Sequence, residues 1–454
     1  MTTTSSPEGA GYARRLGLFS ATMLVVGGII GSGIFLNPAI VARRTGSAAL
    51  TLGTWALGAV IALLGAFIFA ELGRRRPHVG GGYAYLRDAF GPLPAFLYAW
   101  ALLLAIATGA IAAVAVTFAS YAAPLVGLGP ASATWLAVAP VVLLSIVNVL
   151  GVEPGAATQS VFTVLKLVAL GALLLAAVLA PPGGLPSLPT PIAAAPLAPP
   201  TSLGAALLAV SAALVPVLFA YGGWQQTNFV AGELRDPERT LPRALILGVL
   251  IVVVVYLGAN AAYLRTLGVA GLAASSAPAA DTMSIVAGVA GRRLIAAGIA
   301  ASTFGFLDLV ILVTPRVYQA MAQDGLFFAG FARLHPRWRT PVLALAFQGV
   351  VAVALILTRS YGQLLDWVVF ADWIFFGTTA LTLVVFRRRD RRTGVADAGF
   401  RAPLYPASVA LFVLAAAYVV LGSVVSNPGN ALRGALLLLA GVPVFLFWRS
   451  RREG

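Results

Sequence analysis

Runs of apolar residues follow one another along the whole chain, separated by short polar stretches. Each run is roughly 20 residues long, enough for a helix to cross a hydrocarbon core of about 30 Å. Twelve can be placed, at 18–42, 48–72, 92–123, 132–150, 157–180, 204–231, 243–264, 282–315, 341–358, 366–386, 406–425 and 430–448. A membrane β-barrel would instead show short alternating strands, and that pattern is absent. The pattern therefore predicts an all-α polytopic membrane protein, a single transmembrane domain over 1–454. The longest connection, Pro181 to Thr201, is rich in Pro and Ala and carries no charge.

Composition agrees. Of 454 residues 60% are hydrophobic and 10% charged, with a mean hydropathy of +0.93, whereas a soluble domain is about 25% charged. A soluble enzyme, a disordered chain and a fibrous protein are excluded. The net charge of +15 does not point to nucleic acid, because the basic residues fall in short clusters between apolar runs. The chain has no cysteine and two histidines, His78 and His335, far apart in charged loops. Disulfides, thiolate chemistry and Cys- or His-based metal sites are therefore not expected, nor is any cofactor. The polar start, Met1 to Arg15, has no cleavable signal pattern, so the first run is expected to stay in the mature protein.

Orientation follows the arginines, since positive loops stay cytoplasmic. With the N-terminus inside, 22 arginines fall on the inner side and seven on the outer (Arg43, Arg44, Arg265, Arg292, Arg293, Arg359 and Arg433). The one lysine, Lys166, lies within a run. Both termini are predicted to be cytoplasmic. Heavy use of Arg over Lys, with an Ala-rich composition, points to a bacterial cytoplasmic membrane.

Two runs differ from the rest. Span 1 reads G-G-I-I-G-S-G-I-F-L-N-P from Gly27 to Pro38, and span 6 reads L-F-A-Y-G-G-W-Q-Q from Leu218 to Gln226. A glycine inside a helix costs about 1 kcal/mol relative to alanine, so glycines clustered at mid-membrane mark a break. Irregular backbone survives at that depth only when buried in protein or lining a cavity. Spans 1 and 6 open two five-span sets, about 18–180 and 204–386, with two peripheral spans at about 406–448. Corresponding broken helices in two halves point to a secondary transporter built on inverted repeats. The competing explanation is small-residue packing of the G-x-x-x-G kind, which would have to arise twice in matching positions.

At these residues the sequence resembles the amino acid/polyamine/organocation permeases, in particular the L-type amino acid transporter branch and its bacterial relatives. The resemblance spans nearly the whole chain. It is carried by G-S-G-I-F at Gly31 to Phe35, F-A-Y-G-G-W at Phe219 to Trp224, N-F-V at Asn228 to Val230 and D-P-E-R-T-L-P-R-A at Asp236 to Ala244. Tyr256, Asn260 and Tyr263, then P-R-V-Y-Q-A-M-A-Q-D-G at Pro315 to Gly325 and F-R-A-P-L-Y-P at Phe400 to Pro406, continue it. It implies a LeuT-like fold of ten core helices plus two, a 5+5 inverted repeat, and alternating access around a central site. The family often has Asn where this chain has Gln225, so side-chain selectivity does not transfer. Helix 6 ends in Gly232-Glu233 rather than the common Glu-Glu. Eukaryotic members join a partner subunit through a cysteine; with none here, no disulfide-linked heavy subunit is expected.

An amino acid is a zwitterion, and a broken helix offers something to each end. The second half of span 1 exposes the N–H groups of Ser32, Gly33 and Ile34, equivalent to about half a positive charge and suited to a carboxylate. Carbonyls ending the first halves, from Ile29 and Ile30 and from Phe219, Ala220 and Tyr221, can accept from the ammonium. Gly31, Gly33, Gly222 and Gly223 let a ligand approach the backbone. Phe219 is the aromatic gate the resemblance implies; a packing or lipid-facing Phe is the competing role. Lys166 at the centre of span 5 costs about 2.5–3.5 kcal/mol on insertion scales and is functional by default. In sodium-coupled relatives a cation sits between helices 1, 5 and 8, and the resemblance makes Lys166 its built-in replacement. Its ammonium would bridge helix 1 carbonyls and the hydroxyls of Ser302 and Thr303, and it could carry a coupled proton. Snorkelling to the interface is disfavoured by its depth.

Asp308 and Asp372 also lie within apolar runs, as proton carriers, partners for a cationic substrate or polar links between helices. Tyr256 either lines the site, steadies the helix 1 break or packs. Glu71 beside Arg74 to Arg76 is read as an interfacial salt bridge, and Gly80 to Phe90 as a loop and short amphipathic helix closing the cytoplasmic vestibule. The expected function is sodium-independent transport of a small or neutral L-amino acid, by exchange or proton-linked symport. The alternative is a polyamine or cationic amino acid carrier with Asp308 as amine partner. A membrane enzyme would need a nucleophile–base or metal constellation, and a channel a repeated filter loop; neither pattern is present.

Overall fold

The computed structural model describes residues 12, 14–180, 199–358, 361–394, 399–426 and 428–453; most of the Pro-rich connection lies outside them. Among the described residues there are helices and no strands, apart from one isolated bridge between Leu16 and Leu234. Ten helices or helix sets are long and apolar enough to cross a membrane, and the bent pair Leu18–Ile29 and Gly33–Thr45 adds an eleventh. The 17-residue apolar helix Val342–Thr358 accounts for the twelfth run. The fold is that of a LeuT-like polytopic helical membrane protein.

Five spans depart from a plain continuous helix, each for a local reason. Span 1 divides at Ile30–Ser32, and its halves meet at 41°. Span 6 is α-helical only over Leu203–Ala220; it breaks at Tyr221–Gly223 and continues as a 3-10 helix over Trp224–Glu233 instead of running as one helix to 231. Span 7 is longer than the apolar run, Pro237–Ala274, and turns sharply at Gly268, whose φ of 65° suits glycine. Span 8, Pro278–Val313, bends at Ala287–Gly288. Span 3 is continuous from Pro92 to Leu125 but contains one wide turn at Leu102–Ile106, where Thr108 Oγ1 donates to Leu103 O at 2.9 Å.

Spans 1 and 6 cross backbone against backbone. A Cβ on Gly223 would stand 2.0 Å from the Gly28 carbonyl oxygen, and one on Gly28 would stand 2.8 Å from the Gly223 oxygen. A Cβ on Gly33 would meet Ala220 at 2.8 Å. Asn37 Nδ2 donates to Pro216 O at 2.7 Å just beyond the crossing. Gly31 and Gly222 are different, since a Cβ there would make only ordinary contacts, the nearest at 3.4 Å. The first set of glycines permits the crossing; the second leaves the backbone open.

One mouth of the bundle is closed by polar clamps. Glu233 and Arg316, both fully buried, pair at 2.9 Å, and the N–H groups of Arg15 and Leu16 donate to Glu233 O at 3.0 Å. The short helix Gly82–Phe90 is held by Asp324, which accepts from Tyr83 OH at 2.7 Å and Arg87 Nη1 at 2.8 Å. Burial alone would lower the Arg87 pKa; the bonds and charge of Asp324, then Asp88, more than offset this and raise it. Glu71, fully buried, accepts from Arg75 at 2.9 Å, from Arg387 at 2.5 Å and from the N–H of Ala402 at 2.7 Å.

Candidate functional site

The two breaks face a cavity of about 90 Å³. Gly31, Ser32 and Gly33 line one wall and Ala220, Gly222 and Gly223 another, with the wide turn of span 3 opposite. Phe306, Val310 and Thr314 of span 8 and Asp372, Trp373 and Phe376 of span 10 complete it. A second, wider cavity of about 750 Å³, bordered by Asn37, Arg44 and Tyr418, lies towards the start of span 6. Phe219 lines both cavities, so its ring stands between them rather than towards lipid.

The donor side of break 1 is unfilled. Gly31 N donates to Ile29 O and Phe35 N to Ser32 O, but among the described residues no backbone acceptor faces the N–H groups of Ser32, Gly33 or Ile34. Its acceptor side is already occupied. Ile30 O takes Lys166 Nζ at 2.8 Å and Ser302 Oγ at 3.3 Å. Ile29 O takes Gly31 N at 2.9 Å and Tyr256 OH at 3.0 Å. A carbonyl oxygen has two lone pairs, so Ile29 and Ile30 are poorly placed to accept a ligand ammonium as well. In span 6, Phe219 O accepts from Gly222 N at 3.1 Å and Ala220 O from Tyr256 OH at 3.2 Å. Ala220 O therefore keeps a lone pair, and Tyr221 O has no bond among the described residues.

Tyr256 thus ties the two breaks to each other through one hydroxyl. Lys166, fully buried, reaches Gly27 O at 3.2 Å as well as Ile30 O. It meets span 8 through the oxygen it shares with Ser302. Thr303 faces elsewhere: its hydroxyl donates to Ile299 O and Ala300 O of its own helix, both at 2.9 Å. Gln225 Oε1 accepts from Gly223 N at 3.0 Å, so this side chain caps its own break.

The two intramembrane aspartates separate. Asp308 does not line the cavity; Asn148 Nδ2 of span 4 donates to it at 2.7 Å, deep among spans 4, 5 and 8. The expectation that it would meet a substrate amine has no geometric support. Asp372 does line the cavity. Gln226, whose Oε1 has no partner, and Thr314, which bonds Gln348, are cavity residues the sequence reading missed. The polar pair after Trp224 signalled Gln226, and both members of that pair line the cavity; no local pattern marked Thr314.

An amino acid permease family model matches residues 16–445 of the chain. The chain belongs to the amino acid permease family. This permease is 30% identical to the serine/threonine exchanger SteT of Bacillus subtilis, over 98% of its own length and 99% of that protein's. It is 32% identical to the human b(0,+)-type amino acid transporter 1, covering 99% and 90% of the two chains. With the rat large neutral amino acids transporter small subunit 2 it shares 31% identity, over 98% and 84%. The relatives are transporters whose names concern amino acids, which agrees with a cavity walled by two opened helices.

Proposed function

We propose that this permease carries a small neutral L-amino acid across the membrane by alternating access, without sodium. One observation carries the reading: Ser32 and Gly33, whose N–H groups are unfilled, line the same cavity as Ala220, whose carbonyl keeps a lone pair. The substrate carboxylate sits on the first and its ammonium on the second, so the bound orientation is fixed by backbone. A cavity of about 90 Å³ is smaller than the roughly 150 Å³ that admits benzene, which favours a small side chain over an aromatic one. Lys166 Nζ occupies carbonyls of Gly27 and Ile30, where a coupling cation would otherwise bind, and this supports sodium independence. Phe219, between the two cavities, serves as the gate. The two halves, about 18–180 and 204–386, act as the inverted repeats, with both termini cytoplasmic.

The test is uptake into proteoliposomes of purified protein against a panel of amino acids and amines, with and without internal substrate and sodium. Small neutral amino acids should compete best, and removing sodium should change nothing. A sodium requirement, or no amino acid uptake, would overturn the proposal. Trans-stimulation by internal substrate distinguishes exchange from proton-linked symport. A second reading, a carrier of cationic amino acids or polyamines, rests on Asp372 at the cavity wall rather than on Asp308; amines outcompeting neutral amino acids would favour it.

A further inference from the structure

Away from both of these cavities, a third concavity of about 780 Å³ opens where the ends of spans 2 and 10 meet the first turns of span 7. Six arginines line it: Arg74, Arg75, Arg76, Arg239, Arg243 and Arg389. Two carboxylates, Glu238 and Asp390, share the wall, leaving an excess of four positive charges (six minus two). Asp390 is already paired with Arg75 at 2.5 Å, and Arg76 is held by Asp88 at 3.1 Å. Arg74 donates to Phe400 O at 3.1 Å, and Arg389 to the carbonyls of Asp88 and Ala89. These bonds fix four guanidinium groups in place around the hollow.

The two arginines on span 7 are of another kind. Arg239 lies 3.9 Å from Asp236 with its side chain 78% exposed. Arg243 is exposed and makes no hydrogen bond or ion pair among the described residues. The floor beside them is apolar, formed by Pro242, Ile246, Phe386 and Phe400. The same helix face continues into the bilayer through Leu247, Leu250 and Val254, 46%, 43% and 70% exposed. Positions 243, 247, 250 and 254 follow the three-to-four spacing of a single stripe. A basic hollow thus borders an exposed apolar stripe on the same helix.

We propose that this hollow binds the phosphodiester headgroup of an anionic diacyl lipid, with Arg239 and Arg243 on the phosphate and an acyl chain along Leu247, Leu250 and Val254. The apolar stripe is what selects a lipid over a soluble phosphate. Basic pockets between helices at the cytoplasmic interface are suited to such headgroups, and arginine's planar donor fork suits phosphate oxygens. A lipid seated there would bridge spans 2, 7 and 10.

The experiment uses the purified full-length protein and native mass spectrometry, with phosphatidylglycerol or phosphatidylcholine added in turn. Phosphatidylglycerol should be retained preferentially. The Arg239→Gln/Arg243→Gln double variant should bind it about thirtyfold more weakly, from roughly fivefold for each arginine near an anionic surface. Arg333→Gln/Arg337→Gln, exposed on the loop between spans 8 and 9 and outside the hollow, should bind like the wild type, and an unchanged melting temperature of both variants reports folding. Glycerol phosphate in excess should not displace the lipid. Equal retention of the two lipids, an undiminished affinity in the 239/243 variant, the same loss in the 333/337 variant, or displacement by glycerol phosphate would each overturn the assignment.

Discussion

Replacing Tyr256 with Phe removes one oxygen and leaves the ring. The ring stays packed edge-on to Trp55 at 5.7 Å and against Tyr221 at 5.0 Å, so packing should change little. What is lost is the hydroxyl's contact with Ile29 O at 3.0 Å and Ala220 O at 3.2 Å, the one atom among the described residues that bonds a carbonyl in each break. The hydroxyl has one proton, shared between the two carbonyls, so the loss is that of one bifurcated hydrogen bond, about 0.5–1.5 kcal/mol. If this bond holds the breaks at the separation the substrate needs, the ligand must supply that ordering itself in the variant. Apparent affinity then falls by about 2- to 12-fold, since 1.4 kcal/mol is a factor of ten. Ala220 O gains a free lone pair in the variant, which offsets part of this loss but cannot restore the spacing. Km from exchange kinetics in proteoliposomes and the melting temperature of the detergent-purified protein measure the two consequences. A Km within twofold of wild type, with melting unchanged, would refute the idea that Tyr256 pre-organises the site.

Lys166→Met should lower exchange at least tenfold, because hydrogen bonds to a buried charged donor are worth about 1.5–3 kcal/mol and Gly27 O and Ile30 O lose theirs together; wild-type rates in the variant would exclude the cation-replacement role. Asp308→Asn should leave neutral amino acid uptake within about twofold, since the bond to Asn148 can persist in an amide and makes a neutral hydrogen bond of about 1 kcal/mol. Asp372→Asn, by contrast, should alter which amines compete; loss of amine competition in the Asp308 variant alone would reverse the assignment made from the cavity lining. Gly223→Ala should destabilise by about 2–6 kcal/mol, combining about 1–3 for overpacking against Gly28 O with about 1–3 for strain at a φ of 109°. A melting temperature equal to wild type in that variant would mean that spans 1 and 6 do not cross as closely as described.

The breaks were legible because glycine leaves a mark on sequence. Four of them fall in Gly27–Gly33 and two at Gly222–Gly223, and a helix interior does not otherwise collect so many. The state of the carbonyls was not legible. Whether Ile29 O and Ile30 O are free depends on Tyr256, Lys166 and Ser302 arriving from spans 7, 5 and 8, and no local pattern records that meeting. The 3-10 form of Trp224–Glu233 was hidden for a similar reason: its composition is compatible with either helix, and buried partners decide between them.

The two aspartates, on spans 8 and 10, make the same point. In sequence Asp308 and Asp372 are equivalent, each a lone carboxylate within an apolar run. The cavity fixes which face of span 8 matters: Phe306, Val310 and Thr314 line it, spaced by four, and Ser302 four residues earlier bonds Ile30 O. Residues four apart share a face, whereas a residue two steps along is turned by about 200°. Asp308 stands two steps from both Phe306 and Val310, so it must point away from the cavity, and it meets Asn148 there. Thr303, one step from Ser302, is turned by about 100° and bonds its own helix. The same periodicity that marks a membrane helix thus sorts its polar residues into those that can touch a substrate and those that cannot, once one residue of the inward stripe is known. Ser302 supplies that residue because it shares the Ile30 oxygen with Lys166, so the Lys166 contact and the cavity wall are set by one helix rotation. A twist of span 8 large enough to bring Asp308 inward would take Ser302 off Ile30 and leave Lys166 without its link to that span.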